Sequence, residues 1–260
     1  MKIACLQLNI IWENKQENFN KVEKLISEAV NKGAELVCLP ELFSTGFTMN
    51  SDKFAEKISG ATSRFLQGQA KEHKIYLIGG LIENTEDWPK NTCIVLNQKG
   101  ELISKYHNIH PFSLDKEDEN YGKGSKISFF EIDNIKASTF ICYDLRFPEL
   151  FSVATEKGAK IIFVIANWPS SRKEHWKILL RARAIEDQIF IVGVNRVGSS
   201  PIGNYSGDSV IIDPLGEVIA QGSNLEEVVI GEIETRQVDE IRKDFPFFED
   251  RRLELYKTLY

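Results

Sequence analysis

One pattern occurs twice in this 260-residue chain and limits its fold more than any other feature. Asn31-Lys32-Gly33-Ala34-Glu35-Leu36-Val37-Cys38-Leu39-Pro40-Glu41 is echoed by Glu156-Lys157-Gly158-Ala159-Lys160-Ile161-Ile162-Phe163-Val164-Ile165-Ala166. Each copy reads as a helix end, a glycine, a buried strand and then a polar or aromatic tip. Strands without polar alternation are buried on both faces, as in parallel sheets covered by helices. Two such βα units packed face to face predict an α/β chain with its helices outside.

The rest of the sequence continues the alternation. Phe19, Val22, Leu25, Ile26 and Ala29 share one face of a predicted helix over 18–31, and Asn31-Lys32-Gly33 supplies its C-cap. Further helices are predicted over 63–72, 147–156 and 175–187. Strands are predicted over 3–8, 34–39, 75–82, 91–96, 102–106, 135–142, 160–166, 190–195, 209–212, 218–220 and 228–232. Asn97-Gln98-Lys99-Gly100 marks a hairpin and Asp213-Pro214-Leu215-Gly216 a turn. No Pro/Gly/Ser-rich linker interrupts the chain, so one domain over 1–260 is expected.

Composition narrows the function classes. A net charge of −6 with no Lys/Arg block argues against nucleic-acid or anionic-membrane partners. No apolar run approaches the ~20 residues of a membrane span, and the N-terminus lacks a signal-peptide pattern. A cytoplasmic location is the expectation. Four cysteines are too few for a disulfide scaffold. Cys5, Cys38 and Cys93 sit in apolar stretches, whereas Cys142 is followed by polar and charged residues.

Reactive groups in open α/β sheets gather past the carboxyl ends of strands. Three predicted strand ends carry such groups: Glu41, Cys142, and Asn167-Trp168-Pro169. A helix following Cys142 would favour its thiolate, and a nearby carboxylate would take the thiol proton. His107 and His110 lack a third ligand at zinc-like spacing, so no metal site is expected. Gly79-Gly80 and Gly122-Lys123-Gly124 match no phosphate-binding loop. The stretch from Tyr121 to Gly124 reads instead as a loop closing over the cleft.

Several segments, in order, resemble the nitrilase (carbon–nitrogen hydrolase) superfamily. They are Leu36 to Phe47, Ile141-Cys142-Tyr143-Asp144-Leu145-Arg146-Phe147-Pro148-Glu149, Ala166-Asn167-Trp168-Pro169, His175-Trp176, Arg181 to Gln188, and Asp213 to Glu217. The C-terminal Phe245-Pro246-Phe247-Phe248 through Tyr256, with Arg172, is similar to ω-amidases. The resemblance implies a four-layer α-β-β-α sandwich, a homodimer, and release of ammonia from small dicarboxylic monoamides such as 2-oxoglutaramate. It implies Glu41 as base, Cys142 as nucleophile, Glu117 as a second, substrate-positioning glutamate, and the Tyr143 backbone N–H as an oxyanion donor. The partners would be a small amide and water, and no cofactor is required. Arg172 is the candidate for the substrate carboxylate, with Trp168 and Phe43 as pocket walls. Asp144 and Arg146 are expected in ion pairs fixing the Cys142 turn. N-carbamoyl amine or generic aliphatic amidase chemistry, and a non-catalytic binding homologue, are the alternatives.

The chain departs from the family at one position. A catalytic lysine is expected in Tyr-x-Lys-Ile-His-x-Phe, and this chain has Tyr106-His107-Asn108-Ile109-His110-Pro111-Phe112. Losing an oxyanion donor typically costs ~10²–10³ in rate, and here a charge is lost too. Three readings stay open: an impaired homologue, an active enzyme with a rearranged cation such as Lys105, or an active enzyme in which Asn108 suffices. In an extended segment, positions 105 and 108 face opposite ways.

Overall fold

The chain is described by a computed structural model covering residues 1–259. Among the described residues fourteen strands are formed: β1 (Lys2–Gln7), β2 (Leu36–Cys38), β3 (Tyr76–Glu83), β4 (Lys90–Leu96), β5 (Leu102–His107), β6 (Phe129–Ile132), β7 (Ile135–Ile141), β8 (Ile161–Ala166), β9 (Phe190–Asn195), β10 (Val197–Ser200), β11 (Gly203–Ser206), β12 (Val210–Ile212), β13 (Val218–Gln221) and β14 (Glu227–Glu232). The helices are α1 (Lys15–Asn31), α2 (Ser51–Phe54), α3 (Ala61–His73), α4 (Glu117–Asn120), α5 (Pro148–Glu156), α6 (Lys173–Asp187), α7 (Arg236–Asp244) and α8 (Leu253–Tyr256).

Two six-stranded sheets carry the fold, in the orders β14-β1-β2-β3-β4-β5 and β13-β12-β9-β8-β7-β6. β1, β2 and β3 are parallel, as are β7, β8 and β9; the outer strands are antiparallel. The pleat sorts side chains into two cores. Ile3, Cys5, Leu36, Cys38 and Ile78 face the second sheet, while Ala4, Leu6, Val37 and Leu77 face α1 and α3. On the far side, Phe151 and Ala154 of α5 and Trp176, Leu180 and Ala184 of α6 cover the second sheet. The layers are therefore α1/α3, sheet, sheet, α5/α6, a four-layer α-β-β-α sandwich. Both faces of each sheet are buried, which explains the unbroken apolar runs.

Each half enters its central strand alike. Gly33 and Gly158 take φ of +86° and +94°, the left-handed region that glycine occupies without strain. No helix among the described residues is long and apolar enough to cross a membrane.

Candidate active site

Glu41 leaves β2 through Leu39-Pro40 and is fully buried. The next residue, Leu42, turns with φ of +44° and brings this backbone against β3. Gly80 makes the approach possible, because a Cβ there would lie 2.6 Å from Leu42 N and 3.0 Å from Glu41 Cα. The Gly79-Gly80 pair thus serves close packing beneath the strand tip.

Cys142 follows β7 with φ of +44°, a conformation that costs a non-glycine residue of order 1 kcal/mol. The turn is held by Asp144, which is fully buried. Its carboxylate accepts from Ile141 N–H at 3.2 Å, Tyr106 O–H at 2.7 Å and His110 N–H at 3.0 Å, with His110 Nδ1 at 2.8 Å. His110 also stacks on Phe147, at 3.7 Å between ring centroids. Asp144 therefore ties the Cys142 turn to the segment carrying position 108. It is not paired with Arg146, as the sequence suggested. Arg146 instead lies 4.9 Å over the Trp168 ring, in the cleft.

The carboxylates meet on an asparagine. Asn91, at the start of β4, donates from Nδ2 to Glu41 Oε1 at 2.6 Å and to Glu117 Oε1 at 2.9 Å. Glu41 Oε2 accepts from the Asn167 backbone N–H at 2.7 Å, and Asn167 Nδ2 donates to the Glu41 carbonyl at 2.7 Å. Glu117, on α4, accepts from Phe112 N–H at 2.6 Å. Asn108 is 1% exposed and donates to Glu117 Oε1 at 3.4 Å, while its backbone N–H donates to Asn91 O at 2.9 Å. The Cys142 thiol and the Glu41 carboxyl act on each other electrostatically.

Neither carboxylate is paired with a cationic side chain among the described residues. Burial therefore prevails over the hydrogen bonds. It pushes the Glu41 carboxyl up, and burial plus the Glu41 charge push Glu117 up to about 8. Burial and the two carboxylates together hold the Cys142 thiol well above the ordinary thiol range. The expected thiolate stabilisation by a following helix is not realised. Residues 142–146 form a 3₁₀ turn, and α5 begins only at Pro148.

Cys142 opens into a cleft of about 330 Å³ walled by Phe47, Phe112, Tyr143, Trp168 and Tyr205, with Arg146 and Arg172 at its edge. Trp168 Nε1 donates to the Arg172 carbonyl at 2.8 Å, and the Arg172 guanidinium lies 5.2 Å from the Phe112 ring centroid. Neither arginine reaches a carboxylate among the described residues. Phe43 is not a wall of this cleft; it is fully buried beside Phe19, with ring centroids 6.1 Å apart, in the core under α1 and α3. Lys105 supplies no substitute cation. It pairs with Glu83 at 2.6 Å on the opposite side of β5, next to His107. The stretch 121–124 does not line the cleft either. Gly122 N–H donates to Pro89 O and Gly124 N–H to Asn108 O, which holds it over the 108 segment.

Sequence reasoning passed over Asn91, Phe47 and Tyr205, and it gave no clamping role to Asn167. Asn91 has no spacing signal. For Asn167 the signal existed: it ends β8 as Glu41 ends β2.

Comparison with known proteins finds relatives along nearly the whole chain. Residues 2–243 match the carbon-nitrogen hydrolase family. The 2-oxoglutaramate amidase of Bacillus subtilis is 38% identical over 98% of both chains. Omega-amidase NIT2 of Homo sapiens is 32% identical over 98% of this chain and 96% of its own. The crystal structure of a CN-hydrolase superfamily protein from Xanthomonas campestris, with an arsenic adduct in its active site, superposes with a TM-score of 0.90 at 32% identity. It covers 96% of this chain and 97% of that one. From the paired sheets, the strand-end cysteine and glutamate, and these matches along its length, this chain belongs to the carbon–nitrogen hydrolase family of enzymes, the nitrilase superfamily, and is omega-amidase-like within it.

Proposed function

We propose that this protein, acting as one catalytic domain, is a thiol amidohydrolase that releases ammonia from small dicarboxylic monoamides such as 2-oxoglutaramate. The observation that carries the substrate class is the pair of arginines, Arg146 and Arg172, at the edge of the cleft holding Cys142 and without carboxylate partners. A carboxylate at the far end of the substrate would satisfy them. The named activities of the Bacillus subtilis and human relatives support the same class.

In the reaction, Glu41 takes the Cys142 thiol proton as sulfur bonds to the amide carbon. The oxyanion meets the Tyr143 backbone N–H. The C–N bond breaks as Glu41 returns the proton to the departing nitrogen, giving ammonia and a thioester. Glu41 then draws a proton from water, which attacks the thioester and releases the dicarboxylate and the thiol. Glu117 holds the amide. Asn108 leaves this sequence without a cation, so the chemical step is slow.

The test is ammonia release from 2-oxoglutaramate and succinamate by this sequence and by Asn108→Lys. Slow turnover, accelerated ~10²-fold or more by the lysine, is expected. Full activity in Cys142→Ser, or hydrolysis of N-carbamoyl amines but not of ω-monoamides, would overturn the reading. We also propose a homodimer and a cytoplasmic location. Exposed Ile178, Ile185, Leu215 and Val218 support the former, and sedimentation at micromolar concentration tests it.

A further inference from the structure

Every nitrogen that donates to the Glu41 and Glu117 carboxylates is a neutral amide, from Asn91, Asn167, Asn108 or Phe112. Glu41 and Glu117 share the single amide nitrogen of Asn91, and Asn108 reaches Glu117 only at 3.4 Å. Asn91 Oδ1 and Asn167 Oδ1 have no hydrogen-bond partner, although these residues are only 1% and 4% exposed. Both oxygens belong to the side chains that clasp the carboxylates. Buried acceptors left without donors are costly, and buried carboxylates without a cation more so. What completes such a cluster carries positive charge, several N–H donors and no acceptor, which describes an ammonium group. No set of three His, Cys, Asp or Glu side chains among the described residues is arranged to hold a metal ion.

We infer that the catalytic pocket contains a small-cation site, formed by Glu41, Glu117, Asn91 and Asn167, that binds ammonium or a short primary alkylammonium. Such a cation draws Glu41 into its charged, basic form and favours the Cys142 thiolate. Its catalytic consequence rests on the proposed amidase reaction. That reaction produces ammonia beside Glu41, so the enzyme is activated by its own product.

The site is tested apart from the reaction by alkylating Cys142. Cys5, Cys38 and Cys93 are fully buried, so iodoacetamide reports on Cys142, with peptide mass as the check. The rate in the intact protein is followed near neutral pH with ammonium, methylammonium, tetramethylammonium or sodium chloride at matched ionic strength. A saturable rise of about tenfold or more is expected with ammonium and methylammonium and with neither other cation. Asn108→Lys, with its cation tethered, alkylates fast and ignores added amine. Equal rates with all four salts overturn the site, whatever the amidase assay shows. Amine-dependent alkylation without hydrolysis of any ω-monoamide keeps the site and overturns the proposed reaction.

Discussion

The two halves of the molecule run through one strand plan and end it differently. β14-β1-β2-β3-β4-β5 is matched, strand for strand, by β6-β7-β8-β9-β12-β13, with three parallel strands between antiparallel neighbours in each. The backbone bonds repeat as well. Ala34 N–H donates to Ala29 O at 3.0 Å, and Ala159 N–H to Ala154 O at 3.1 Å. Tyr76 N–H donates to Glu35 O and Phe190 N–H to Lys160 O, both at 3.0 Å. Yet β2 leads to a glutamate and β8 to an asparagine, and these tips bond to each other. A carboxyl can take up and release a proton, whereas an amide cannot. The repeat thus builds twin platforms, and one side chain at each tip divides the work. In the proposed reaction one half moves protons and the other fixes where the mover sits.

The largest effect expected is at the glutamate tip. Glu41→Gln removes the proposed base and should lower kcat by ~10²–10⁴-fold in the ammonia-release assay. Its melting temperature should hold or rise, because burial no longer opposes a charge. Making the tips alike is the next test. Asn167→Asp sets a carboxylate against Glu41 and should cost more activity than Asn167→Ala. The alanine variant keeps the backbone N–H on Glu41 Oε2 and should lose ~1–3 kcal/mol of stability in urea melts. If Asn167→Asp and Asn167→Ala lose the same activity, the clamp reading fails.

Glu117→Gln sharpens the electrostatic side of the comparison. The folded protein keeps the Glu117 proton up to about pH 8, while the unfolded chain releases it near 4.5. Raising pH through that interval therefore favours unfolding, and the substitution removes the penalty. The variant's gain in melting temperature should be smallest near pH 4.5 and grow up to about pH 8. A gain independent of pH would refute the assignment. The smallest effects belong to the matched glycines. Gly33→Ala and Gly158→Ala should each cost ~1 kcal/mol, or roughly 2–4 °C, with turnover unchanged. Unequal losses would show that the two units are less alike than their hydrogen bonds.

The layered fold could be read from the sequence because buried strands leave unbroken apolar runs and α1 and α6 follow recognisable signals. The elements missed lack such a signal. α7 buries only Val238, so it shows no apolar stripe. The β10–β11 hairpin consists largely of glycine, serine and asparagine. At the site, Glu41 and Cys142 could be found because each follows a buried strand. The Asn91 bridge joins groups 50 and 26 residues away, a closure that no local spacing announces. The sequence placed Arg146 beside Asp144, but Tyr106, His110 and Ile141 occupy that carboxylate first.

The pairing of β1 with β14 sets when the first sheet can be completed. Lys2 lies across from Glu232, and Met1 and Ile233 exchange hydrogen bonds in both directions. β1 has its outer partner only once residues 227–232 have followed. Until then one margin of the first sheet exposes unpaired amides, a surface prone to sticking to another nascent chain. Synthesis of residues 227–232 is thus the moment at which the nascent chain stops being a hazard and closes on itself.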